Sequence, residues 1–217
     1  MSETFIDPYI DPETGVLRNK VGASSNSELA NAEGEFVSNR AAKLFESGPR
    51  NMTGSLEDFC AIHKELFQDI FDWAGTPRTV EIRKNSQGSE FFLPSANIAT
   101  GIAWSQNELK KDNFLCGMGF EKFCERLAYH YDNYNFVHPF REGNGRTQRV
   151  FWSIMSGNAG YDIDWRCATG KENDEASRLA AEDCDLSGLI QMFRRIVLPH
   201  KREGLSQTLS SGAIHLD

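Results

Sequence analysis

The sequence contains no apolar run approaching the length of a membrane-spanning helix, and its start, Met1-Ser2-Glu3-Thr4-Phe5-Ile6-Asp7, lacks the basic and apolar regions of a signal peptide. Cysteine is scarce and unpatterned. Cys60, Cys116, Cys124, Cys167 and Cys184 make an odd count with no CxxC pair and no His-spaced zinc pattern, which excludes a disulfide scaffold and predicts a reduced, cytoplasmic chain. Positive charge is the minority sign. With 23 Lys plus Arg against 31 Asp plus Glu, the net charge of −8 argues against general attraction to nucleic acid or to an anionic membrane, so a partner must tolerate an acidic surface. Internal repeats and low-complexity segments are also missing, and the strand signal is confined to one place.

What is present is helical periodicity. The 217 residues suit one domain over residues 1–200, including an N-terminal extension, followed by a small, polar tail at 201–217 predicted to be flexible. Asp7-Pro8-Tyr9 and Asp11-Pro12-Glu13-Thr14-Gly15 read as turns. A first helix is predicted from Ser27-Glu28-Leu29 to near Gly48-Pro49, and the clearest one from Ser55 to Trp73, stopped by Gly75 and Pro77. Further helices are predicted over Ile98 to Lys111, Phe120 to Phe136, Asn144 to Ser156, Glu172 to Cys184 and Leu186 to Leu198, with Asp162 to Trp165 an extended link. Between Arg78 and Pro94 the period changes to that of two short strands around a Lys84-Asn85-Ser86-Gln87-Gly88-Ser89 turn cluster. The expected class is therefore all-α with one short β-hairpin.

One stretch is not explained by folding needs. His138-Pro139-Phe140-Arg141-Glu142-Gly143-Asn144-Gly145-Arg146-Thr147-Gln148-Arg149 combines a base, a carboxylate, a glycine-bracketed turn and two arginines. Pro139 pushes His138 out of the α region, so the preceding helix should end there and present the imidazole. Near neutral pH that ring can take a proton from a hydroxyl nucleophile. Asn144 is a plausible cap for the next helix, whose bare N–H groups and dipole make an anion site; Arg146 and Arg149, three apart on one face, add charge for more than one phosphate. Glu142 is a single hard-oxygen ligand beside that nest, which fits a Mg²⁺–nucleotide better than a stand-alone metal cage. Phe140 is predicted to point into the core and pin the loop. Singly, a His at a helix end is usually a capping or solvated residue, and a pair of arginines an exposed face; together, in this order, they agree on one chemistry.

The stretch matches HxFx(D/E)GNGRxxR at every specified position, and so resembles the signature of Fic-domain proteins. With eight specified positions, a chance match in a chain of this length is on the order of 10⁻⁸. The resemblance implies a mostly helical domain that transfers AMP from ATP to a hydroxyl side chain of a target protein, releasing pyrophosphate. By it, His138 resembles the general base, Glu142 the Mg²⁺ ligand, Gly143, Asn144 and Gly145 the phosphate-binding turn, and Arg146 and Arg149 the arginines on the distal phosphates. The hairpin then resembles the flap along which the target segment docks, with Ile82, Arg83 and Lys84 as its docking residues; an exposed strand edge captures an extended peptide by main-chain pairing. Two alternatives stay open: the same fold transferring another group (UMP, phosphocholine or phosphate), and a non-catalytic binding module.

Fic enzymes are commonly held off by a helix carrying (S/T)xxxE(G/N), whose glutamate pairs with the second signature arginine. This chain lacks the motif; Leu29-Ala30-Asn31-Ala32-Glu33-Gly34 comes nearest, with Leu at the Ser/Thr position, and Glu33 reads as an ordinary surface residue. The segment Asp7 to Gly22 resembles the lead-in of stand-alone bacterial toxin-type members. That resemblance implies a separate small antitoxin supplying the inhibitory glutamate and, as target, a topoisomerase subunit, with no direct nucleic acid and no membrane partner.

Overall fold

The computed structural model describes residues 7–48, 50–83 and 91–200. Helix α1 (Asn26–Glu46) starts at Ser25, whose side chain accepts from the Glu28 N–H, and buries Leu29, Glu33, Val37, Ala41 and Leu44 along one stripe. α2 (Leu56–Phe67) opens with a capping box between Ser55 and Asp58 and buries Phe59, Ile62, His63, Leu66 and Phe67. α3 (Ile98–Lys111) packs on α4 (Phe120–Val137), which also meets α5 (Asn144–Ala159). α5 in turn packs against α2, and α2 against α1. α6 (Gly170–Asp183) and α7 (Ser187–Ile196) close over α4. The core is one hydrophobic cluster centred on Phe59, Phe67, Phe123, Tyr131, Tyr134, Phe151, Trp152 and Phe193, all essentially inaccessible to solvent. Among the described residues no helix is long and apolar enough to cross a membrane.

Most helices form where the periodicity predicts, α3 to the residue. Two of the differing boundaries have clear physical reasons. The long helix expected to Trp73 stops at Phe67 and continues as turns, because the chain must bend to bring Ile70 and Phe71 into the core and the Ile70 carbonyl onto the Lys20 N–H (2.7 Å). The last helix ends at Ile196: Pro199 forces Leu198 to be extended, and Val197–Pro199 (β2) pairs antiparallel with Tyr161–Ile163 (β1), part of the segment expected to be only a link. The hairpin is therefore not the sole place where strands pair. Its base is present, as a single antiparallel bridge between Arg83 and Phe91 and a Phe92 N–H bond to the Ile82 carbonyl (3.2 Å). Lys84, one of its expected docking residues, lies outside the described residues, as does the 201–217 tail.

Candidate functional site

His138 is the residue on which α4 ends. It takes the left-handed conformation (φ 48°, ψ 64°) and not the extended one the following proline favours, and its N–H bonds to the Tyr134 carbonyl (3.3 Å) as a C-cap. Nδ1 lies 3.2 Å from the Asn135 carbonyl, which can only accept; the neutral ring therefore carries its proton on Nδ1 and its lone pair on Nε2. Asn135 is itself held, its Oδ1 accepting from Gln148 Nε2 (3.1 Å), while Gln148 Oε1 accepts from Trp152 Nε1 (3.2 Å). Phe92 stacks on the imidazole with ring centroids 3.7 Å apart and planes 11° from parallel.

The turn between α4 and α5 is braced from inside. Phe140 is fully buried and stacks on His63 at 3.9 Å. Asn144 is the first residue of α5 and not its cap: its Oδ1 accepts from the Phe140 N–H (2.8 Å) and its Nδ2 donates to the Phe140 carbonyl (2.7 Å). The cap position falls to Gly143 (φ 80°), where an added Cβ would sit 2.4 Å from Phe67 Cζ. Neither the left-handed backbone nor the close approach of the ring admits another residue comfortably. His63 is fully buried, accepts from the Gly75 N–H at Nδ1 (2.8 Å) and donates from Nε2 to the Glu142 carbonyl (3.0 Å); burial pushes its pKa down to about 3, so it stays neutral.

The charged groups converge at the start of α5. The Glu142 carboxylate, 44 % exposed, accepts from the Gly143 N–H (2.9 Å) and lies 3.3 Å from Arg146. Arg146 also donates to Glu33 of α1 and lies over the Phe67 ring, 4.8 Å from its centroid. Glu33 is therefore buried at this site and is not the surface residue its near-miss motif indicated. Its position was readable from spacing, since Leu29, Glu33, Val37 and Ala41 fall four apart on one helix stripe. Burial raises the Glu33 pKa, against the pull of Arg146. Arg149 is buried on a different neighbour, 5.8 Å from the Trp165 ring centroid.

The family model that matches this sequence is that of the Fic/DOC family, over residues 53–156. A relative from Salmonella typhimurium described as probable protein adenylyltransferase Fic is 38% identical over 191 residues, which cover 88% of this chain and 92% of the relative. The chain belongs to the Fic/DOC family. Among solved structures, it resembles the BepC protein of Bartonella tribocorum with bound AMPPNP (TM-score 0.82, 25% identity, 89% of this chain and 97% of that one). It also resembles the Fic domain of a putative cell filamentation protein of Bartonella quintana with bound ADP (TM-score 0.80, 26% identity, 89% and 95%).

In this Fic chain the structure brings His138, Glu142, Gly143, Asn144 and Arg146 together around one turn, and sets Ile82 and Arg83 on the hairpin arm whose partner arm carries Phe92. Gly145 lies in the first turn of α5 with open space where a Cβ would stand. Arg146 and Arg149, expected to act from one face, are held by different neighbours. Sequence reasoning missed three residues that hold the site: Glu33, His63 and Arg78. Arg78 is fully buried, and its guanidinium donates to the His138 and Val80 carbonyls at 2.8 Å each.

Proposed function

We propose that this Fic chain is a protein adenylyltransferase. The hydroxyl oxygen of a target side chain attacks the α-phosphorus of ATP, the new P–O bond forms as the bond to the β-phosphate bridging oxygen breaks, pyrophosphate leaves, and the hydroxyl proton passes to His138 Nε2. The observation carrying this reading is the imidazole itself: its Nδ1 proton is committed to the Asn135 carbonyl, and the ring stands one short turn from a helix start that already draws an anion, the Glu142 carboxylate, onto the Gly143 N–H. Gly143, Asn144 and Gly145 would cradle the phosphates, with Arg146 and Arg149 on the distal ones. Mg²⁺, when bound, supplies neutralisation of phosphate charge. Glu142 fits it as the one protein ligand: its carboxylate is half exposed beside the nest, and among the described residues no group of three or more His, Cys, Asp and Glu forms a metal cage. The hairpin edge at Ile82 and Arg83, and Lys84 beyond it, would dock the target segment. The relatives described as protein adenylyltransferases favour AMP over UMP, phosphocholine or phosphate as the transferred group, and the organised base favours catalysis over a pure binding role.

The test is AMP incorporation from labelled ATP into lysate proteins, with mass spectrometry naming the targets. His138→Ala should abolish incorporation while leaving fold and ATP binding intact; near-normal turnover in that variant removes His138 from the base role.

Control is read as external. The chain acts as the toxin of a toxin–antitoxin pair in the cytoplasm, silenced by a small partner whose glutamate competes with phosphate for Arg149. Glu33 meets Arg146 instead, and we assign it to holding that arginine in place. Expressed alone, the wild type should arrest growth of a bacterial host and the His138→Ala form should not. If Glu33→Gln arrests growth and the wild type does not, inhibition lies within the chain.

A further inference from the structure

The guanidinium of Arg78 makes one long ion pair, Nη1 to the half-exposed Glu81 at 3.6 Å, and its shorter bonds go elsewhere. Its hydrogen bonds are to four backbone carbonyls. Nε donates to His138 O (2.8 Å), Nη1 to Val80 O (2.8 Å), and Nη2 to both Val137 O (3.3 Å) and Leu93 O. Two of these four belong to the end of α4, where helix carbonyls lack intrahelical partners and the dipole favours a cation. The other two belong to the two arms of the hairpin, Val80 on the outgoing arm and Leu93 on the returning one. The backbone repeats the same ties. The Arg78 N–H bonds to Pro139 O (2.8 Å), and the Leu93 N–H to Phe136 O (3.1 Å). Finally Phe92, next to Leu93, lies flat on the His138 ring.

From this we propose that Arg78 and Phe92 are positioning residues that lock the hairpin and the His138 loop into one unit, so that the edge receiving the target segment and the imidazole receiving its proton keep a fixed spacing. The inference rests on His138 being the base. Its physical content is register: a target hydroxyl bound along the hairpin reaches Nε2 only if hairpin and helix end move together, and a misplacement of about 1 Å costs on the order of 100-fold in rate. Arginine is required because its planar fork presents five N–H donors in fixed directions, whereas lysine offers three donors from a single nitrogen and cannot span four carbonyls on two segments. None of these bonds reaches the start of α5, so nucleotide affinity should be indifferent to them.

The experiment compares Arg78→Lys, Phe92→Leu, Phe92→Tyr and His138→Ala in the full chain. It reads the rate of AMP incorporation from labelled ATP into lysate proteins at saturating ATP, the affinity for AMPPNP by calorimetry, and the thermal transition. Arg78→Lys should lose about 100-fold in rate with AMPPNP affinity within about twofold of wild type. Phe92→Leu, which introduces no charge and keeps an apolar side chain without the flat ring, should lose about tenfold, and Phe92→Tyr, which restores the flat ring, should return to within about threefold. A folded Arg78→Lys with rate within about threefold of wild type, or with rate and AMPPNP affinity falling together, overturns the proposal. Should Arg78→Lys fail to fold, the Phe92 pair decides: equal rates for Leu and Tyr overturn it. Retained turnover in His138→Ala would instead overturn the base assignment, a separate result.

Discussion

Asn144→Ala is the sharpest test of how the turn is held. The side chain is buried and makes two bonds to one residue, accepting the Phe140 N–H at 2.8 Å and donating to the Phe140 carbonyl at 2.7 Å. Alanine removes both partners while leaving Phe140 in place, packed on His63. A buried backbone group left without a partner costs about 1–3 kcal/mol. Two such groups set a range of about 2–6 kcal/mol, and entry of water from the exposed Glu142 side should bring the loss to the lower half, about 3 kcal/mol. For a domain of this size each kcal/mol is worth about 2–4 °C, so the melting temperature should fall by about 6–12 °C. Asn144→Asp keeps the acceptor and loses the donor, and at neutral pH should fall roughly half as far, its added charge near Glu142 taking back part of the difference. Thermal melts by circular dichroism, supported by urea titrations with unchanged slope, measure both. A fall of less than about 2 °C for Asn144→Ala would refute the claim that this side chain closes the turn.

Two further outcomes follow from the charged groups. Glu142→Ala should weaken AMP transfer in a manner that tracks Mg²⁺, needing about tenfold more of the ion for half-maximal rate; identical Mg²⁺ titrations for variant and wild type would exclude Glu142 as the ligand. Glu33→Gln concerns stability against pH. Burial raises the Glu33 pKa above its ordinary 4.5, so the folded chain favours the protonated carboxyl; the associated stability is present below the ordinary value and is lost as pH rises through the raised one. Melts from pH 4 to pH 8 should show the wild type losing ground to Glu33→Gln as pH rises, and the opposite slope would mean that the pair with Arg146 outweighs burial.

The helices and the signature were legible in the chain because each depends on residues near one another in sequence. Periodic apolar positions define α3 to the residue, and a helix end at His138 and a core-facing Phe140 follow from a few consecutive residues. The short β1–β2 ladder was not legible, since its strands of three residues are far apart in the sequence and carry too few positions for a period. Nor were the roles of His63, Arg78 and Glu33. His63 and Arg78 act on carbonyls of Glu142, His138, Val137 and Leu93, and a backbone carbonyl is the same atom in every residue, so no residue type marks the partner. Glu33 meets Arg146 across 113 positions. Consecutive residue types made the signature turn recognisable in the chain, but what holds that turn came from packing, because a buried polar group must find its partner wherever the folded chain places one.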